Sequence, residues 1–147
     1  MAAAVIVFCL FVTPVSAYIC SSVWPAPTMC QLAASYDAIF LGKAVKANEV
    51  SQQDAPGIGH WVMQARLSVI ELFRGLARNT RTVNLEYDLA PEAFRFVQGV
   101  TYVVYAYKAK DGRLSVSGCS PTRPIAQAHD DISYFRRSRK TKASCSN

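Results

Sequence analysis

The chain has 147 residues, 51% of them hydrophobic, and a formal charge of +6. That length fits one domain, and that hydrophobic content argues against a disordered chain. No internal repeat or low-complexity segment divides it.

Residues Met1 to Ala17 read MAAAVIVFCLFVTPVSA and contain no charged side chain. An apolar run from Ala2 to Val12 precedes Thr13, Pro14 and Val15-Ser16-Ala17. Small residues at Val15 and Ala17 fit cleavage after Ala17, which makes 1–17 a signal peptide and 18–147 the mature domain. The run is too short for a spanning helix, which needs about 20 apolar residues. No Lys or Arg precedes it, so its positive end is the α-amino group alone. The alternative is a buried N-terminal strand or helix. A lipid anchor on Cys20 is disfavoured by the bulky Ile19 at the cleavage position.

Cleavage removes Cys9 and leaves four cysteines, Cys20, Cys30, Cys119 and Cys145. In an oxidising compartment, extracellular or periplasmic, they are expected to form two disulfides. Three pairings are open on spacing alone. A structural zinc site is the competing reading, but no Cys-x-x-Cys is present. His60 and His129 stand in no ligand spacing with any cysteine.

The segment Trp24-Pro25-Ala26-Pro27 is extended, because two prolines in three residues forbid a helix. Gln31 to Tyr36 is a candidate helical turn. Asp37 to Val50 reads as a strand bent at Gly42, with Ile39, Leu41 and Val45 on one face and Phe40 and Ala44 on the other. Pro56, Gly57 and Gly59 mark Ser51 to Gly59 as a loop. His60 to Phe73 alternates with period two, placing Trp61, Met63, Ala65, Leu67 and Val69 on one face of a long strand. Gly75 ends it in a turn.

Arg81 to Tyr87 is a further strand, and Leu89 to Gln98 is irregular. Val100 to Lys108 is rich in β-branched and aromatic residues. Asp111-Gly112 predicts a hairpin, lengthened by Lys110, with Arg113 to Ser117 as its return strand. Pro124 then suits a first helical position. Ile125, Ala128, Ile132 and Phe135 form one helical stripe. Asp130 and Asp131 near its start and the arginines near its end suit the helix dipole. Five strands and a terminal helix predict a mainly β domain. A closed five-stranded barrel of the oligonucleotide/oligosaccharide-binding (OB) type satisfies the pattern, and so does a sandwich.

Basic residues gather late, at Arg136, Arg137, Arg139, Lys140 and Lys142, with Arg113 and Arg123 upstream. One reading is a solvated tail. The other is a weak site for extracellular polyanions or an anionic membrane surface. Nucleic acid is not an expected partner of an exported chain. No phosphate loop, His-Glu-x-x-His or paired-carboxylate signature appears, so neither an enzyme nor a cofactor is expected.

The cysteine spacing combines with Asp37-Ala38-Ile39-Phe40-Leu41-Gly42-Lys43-Ala44-Val45, Phe73-Arg74-Gly75, the Gly99 to Tyr105 strand and Gly112-Arg113-Leu114 before Cys119. Together these resemble the inhibitory N-terminal domain of the tissue inhibitors of metalloproteinases, within the wider netrin-like modules. The resemblance runs from about Tyr18 to Cys145. It implies a five-stranded OB-like barrel with packed helices, stapled by Cys20 with Cys119 and Cys30 with Cys145. Each bond closes a loop of about a hundred residues, worth roughly 4–5 kcal/mol in the chain-entropy model.

The resemblance also implies a function, a monomeric inhibitor of zinc metalloproteinases. The wedge would be Tyr18, Ile19, Cys20 and Ser21. The amine and carbonyl of Tyr18 would chelate the target's catalytic zinc, and Ile19 would enter its specificity pocket. The inhibitor would hold no metal of its own. The chain departs from the family where Tyr18-Ile19-Cys20 replaces a Cys-x-Cys start, and the loop partner of the missing first cysteine is absent between Tyr87 and Phe96. The second implied function is a non-inhibitory netrin-like module that binds polyanions through the basic tail.

Overall fold

The structure, a computed structural model, describes Cys20, residues 26–55 and residues 57–141. It opens with α1 (Met29–Ala34), which starts two residues before the expected turn because Thr28 caps it. The Thr28 hydroxyl accepts from the Gln31 N–H at 3.3 Å, and the Gln31 amide oxygen accepts from the Thr28 N–H at 3.0 Å. This reciprocal box satisfies two otherwise unpaired donors.

The strands are β1 (Ala38–Ala55), β2 (Ile58–Arg74), β3 (Thr82–Asp88), β4 (Thr101–Lys108), β5 (Leu114–Ser115) and β6 (Arg123–Pro124). All neighbours are antiparallel except β3 and β5, which pair in parallel through Leu85 and Leu114. Because β1 pairs with β4 as well as β2, the order β1-β2-β3-β5-β4 closes on itself. The domain is thus mainly β, with a ring of five strands in one sheet, and a sandwich is excluded. The edge of β4 away from β1 is shared, with β6 along its first half and β5 along its second.

Ring closure gives two cores. Inside it lie Phe40, Met63, Leu67, Leu85, Val104 and Val116, each at most 2% exposed. Outside, Ile39, Leu41, Val103 and Tyr105 meet Ala33 of α1, Ala128 just before the terminal helix α2 (His129–Thr141), and Ile132 and Phe135 within that helix. Phe135 stacks on Phe73 at 5.2 Å, and Tyr36 meets Tyr105 edge-on at 5.4 Å. Such pairs add about 0.5–1.5 kcal/mol to their burial.

The structure corrects the expected loop over Ser51 to Gly59. Here β1 runs on to Ala55 and β2 starts at Ile58, with Ser51 facing Trp61 and Gln52 facing His60. The hairpin ladder is held by backbone groups, which need no apolar alternation to pair. Trp61 leaves the expected buried stripe, at 57% exposure, because the hairpin outgrows the core. Val45 is likewise 44% exposed, at a shift of register between Ala44 and Lys46. The bend expected at Gly42 is present as another such shift, between Leu41 and Gly42. Gly75 ends β2 as expected, where an added Cβ would lie 1.6 Å from the Asp37 carbonyl oxygen.

The return strand is shorter than Arg113 to Ser117. Pro124 does not start the α-helix. It lies in β6, heads a 3₁₀ turn over Ile125–Gln127, and α2 begins only at His129. Thr122 holds the segment to β4, its hydroxyl oxygen accepting from the Tyr105 N–H at 2.9 Å. Ile125 therefore drops out of the buried stripe, at 41% exposure.

The Tyr105 hydroxyl donates to Asp131 at 2.8 Å, and the Arg123 guanidinium donates to the same carboxylate. Burial first, and then the Asp131 hydrogen bond, push the Tyr105 phenol well above its ordinary 10.0. Burial does the same to Tyr87, whose hydroxyl donates to the Phe94 carbonyl at 2.7 Å. A phenol whose folded pKa is raised stabilises the fold fully below its unfolded pKa and loses that contribution as pH rises beyond it. Stability should therefore fall above about pH 10, by about 1.4 kcal/mol per pH unit for each tyrosine. Urea unfolding across pH 9–11.5 checks this, and Tyr105→Phe should make the decline shallower.

Candidate functional site

The residue that anchors the predicted wedge is Cys20, and the structure bonds it to Cys119 across 99 positions of sequence. This is the first of the two pairings implied by the resemblance. Cys30, at the start of α1, is disulfide-bonded too. Its expected partner Cys145 lies outside the described residues, as do Tyr18, Ile19, Ser21 and Lys142.

Local backbone fixes where Cys119 sits. Val116, 1% exposed, roots the segment in the inner core. A Cβ at Gly118 would lie 1.5 Å from the Glu92 carbonyl oxygen, so the irregular loop after β3 packs directly against the residue before the disulfide. Only a residue without a side chain permits that approach. The same loop is tied to the barrel by Tyr87, and Arg95 within it pairs with Glu49 at 3.0 Å.

Beside Cys119 opens a groove of about 480 Å³. Its walls carry Glu86, Asp88, Glu92, Asp111 and Arg113. Four carboxylates thus surround one guanidinium, in a chain whose net charge is positive. Arg113 contacts both Glu86 and Asp111. Hydrogen bonds from the Arg113 backbone and side chain, in that order, hold the Asp111 carboxyl below its ordinary range. His60 faces Asp88 at 3.4 Å nearby. Chemically the groove can accept cations and hydrogen-bond donors. Among the described residues no three of His, Cys, Asp and Glu converge to hold a metal ion. No helix among them is long and apolar enough to cross a membrane.

The predicted basic group lies on a different part of the fold. Arg136, Arg137 and Arg139 occupy the second half of α2, and Lys140 follows in its last turn. The Arg136 Nε and Nη2 donate to Glu71 of β2 at 3.0 and 2.8 Å, and Arg139 reaches the same carboxylate at 3.4 Å. Of the upstream pair, Arg123 faces Asp131 and Arg113 belongs to the acidic groove.

Two features escaped the sequence reading. The Asp131 carboxylate was read as a helix-dipole partner, whereas it is 2% exposed and satisfied by Tyr105 and Arg123. The acidic groove draws on β3, the loop after it and the β4–β5 hairpin, whose carboxylates are scattered singly along the chain. No family model and no curated protein matches this chain.

Gly118→Ala should destabilise by at least about 3 kcal/mol, because backbone must move to admit the methyl group. Gly112, at φ +85° with nothing within 4 Å of an added Cβ, is the control. Gly112→Ala should cost only about 1–2 kcal/mol, the left-handed backbone term alone. Chemical denaturation of both variants separates the two costs.

Proposed function

We propose that this chain is a secreted inhibitor of zinc metalloproteinases, built on an OB-type, netrin-like barrel. The single observation that carries the reading is the Cys20–Cys119 bond. The ring order β1-β2-β3-β5-β4 and the helix packed on it add support. In this reading the signal peptide ends at Ala17, and the exported protein starts at Tyr18 in an oxidising, extracellular setting.

The chemistry follows from a bare N-terminus. A neutral α-amine and the adjacent carbonyl oxygen form a bidentate ligand for the open position of a catalytic zinc. They displace the water that the metal would otherwise activate against substrate. With an α-amino pKa near 8, the neutral form is accessible at neutral pH. Ile19 supplies an apolar side chain to the neighbouring pocket. The acidic groove beside Cys119 would meet the rim of the target with hydrogen-bond acceptors.

The missing first-residue cysteine sets the expected strength. The crosslink stands two residues downstream of the amine, and whatever ordering of Tyr18 and Ile19 binding requires costs about 1–2 kcal/mol per residue. Each 1.4 kcal/mol is tenfold in affinity. Inhibition in the micromolar range is expected from the exported protein, with its N-terminus fixed by mass spectrometry. Acetylating the α-amine should abolish inhibition, because an amide nitrogen does not ligate zinc. Persistent inhibition by the acetylated protein, or none by the free-amine form at micromolar concentration, sinks the reading.

A further inference from the structure

A second surface is independent of the wedge. Where β2 ends, a cleft of about 820 Å³ opens between the β2–β3 turn and α2. Arg74, Arg78 and Arg139 line it, together with Glu71 and the aliphatic Ile70 and Leu76. Arg136 joins through its bond to Glu71. Four arginines thus gather about the cleft with one carboxylate, and they come from two separate stretches of sequence, 74–78 and 136–139.

The partners divide these arginines into two kinds. Arg136 and Arg139 are held by Glu71, which latches the second half of α2 onto β2. Arg74 and Arg78 are exposed, and their side chains make no hydrogen bond or ion pair among the described residues. Unpaired like charges beside a held pair repel one another in the absence of an anion. An anion entering the cleft relieves that repulsion and meets forks suited to bidentate contact with sulfate or phosphate oxygens.

We propose that this cleft binds a sulfated linear polysaccharide. Three observations select that ligand class. The site is concave, whereas a bilayer presents a flat surface. Its lining includes exposed aliphatic surface, Ile70 at 57%, which suits the apolar face of a sugar ring. Its one aromatic, Phe73, is stacked on Phe135 within the outer core and so offers no platform for nucleic-acid bases. The basic tail read from the sequence is thereby extended: the helix supplies one wall, and the β2–β3 turn, unmarked by any run of charge, supplies the other.

The test uses the secreted full chain and a size-defined heparin oligosaccharide in about 0.15 M salt. Arg74→Gln/Arg78→Gln should weaken binding about tenfold, the loss of two exposed charge-assisted contacts. Lys108→Gln/Lys110→Gln removes the same charge from exposed positions elsewhere and should change it less than about twofold. Thermal melting should be unchanged in both, since neither pair of side chains is buried. Duplex DNA, desulfated oligosaccharide and vesicles containing phosphatidylserine should each bind at least about tenfold more weakly than the sulfated probe. Equal losses in the two double variants, no binding at that salt, or equal binding of DNA or vesicles overturns the proposal. Metalloproteinase inhibition is read separately, so failure here leaves the inhibitor reading standing, and the reverse holds.

Discussion

The structure depends on the burial of both faces of the first five residues of β1, Ala38 to Gly42. Phe40 points into the ring at 0% exposure, while Ile39 and Leu41 point outward and are buried at 0% and 3%. A strand buried on both faces must be paired on one side and packed on the other. Here Ile39 to Lys43 are also paired along both edges, to β2 and to β4. That arrangement closes the ring, encloses the inner core and leaves an apolar outer strip that α1 and α2 cover. Full closure also removes the exposed edges that invite pairing with other chains. Beyond Lys43, β4 no longer accompanies β1, while β3 flanks β2 as far as Val62; past that point the hairpin continues on its own, with Trp61 and Ile58 exposed.

How far this was legible in the sequence follows from where side-chain pattern and backbone pairing agree. The two faces of β1 could be read because Ile39, Leu41, Phe40 and Ala44 are all apolar, and the inner face of β2 because Met63, Ala65 and Leu67 alternate with polar residues. The helical stripe of Ala128, Ile132 and Phe135 was readable for the same reason. Ser51 to Ala55 were not, since their ladder is made by backbone groups on which the side chains leave no mark. Nor was β6, where Thr122 and Pro124 replace the expected start of a helix with a strand pair and a 3₁₀ turn. Of the candidate site, Cys20 and its partner came through resemblance rather than spacing. The acidic groove and the arginine cleft are each assembled from elements distant in sequence, so no window of sequence contains either.

A net charge of +6 conceals a division of sign. Glu86, Asp88, Glu92 and Asp111 line the groove beside Cys119, while Arg74, Arg78, Arg136 and Arg139 gather at the other end of β2. The strand pairing measures the separation. Glu86 lies opposite Gln64, and the cleft begins at Ile70 and Glu71. Seven residues of strand span roughly 23 Å, beyond the Debye length of about 8 Å at physiological salt. Each surface therefore presents its own sign to an approaching partner, and neither screens the other.

That separation has an energetic consequence for the two proposed activities. Changes at sites more than about 7–10 Å apart with no shared partner act additively. Among the described residues the link between the regions is the ring itself, through β2 and the inner core. A ligand in the arginine cleft bonds to α2 and the β2–β3 turn, and neither contacts the Cys20–Cys119 bond among the described pairings. Among the described residues, occupying the cleft thus makes no contact that would supply differential free energy to the N-terminal segment. What the cleft can change is location: a protein held on a polyanion is concentrated where that polyanion is, so its N-terminus meets nearby targets at a higher effective concentration without any change in its intrinsic affinity.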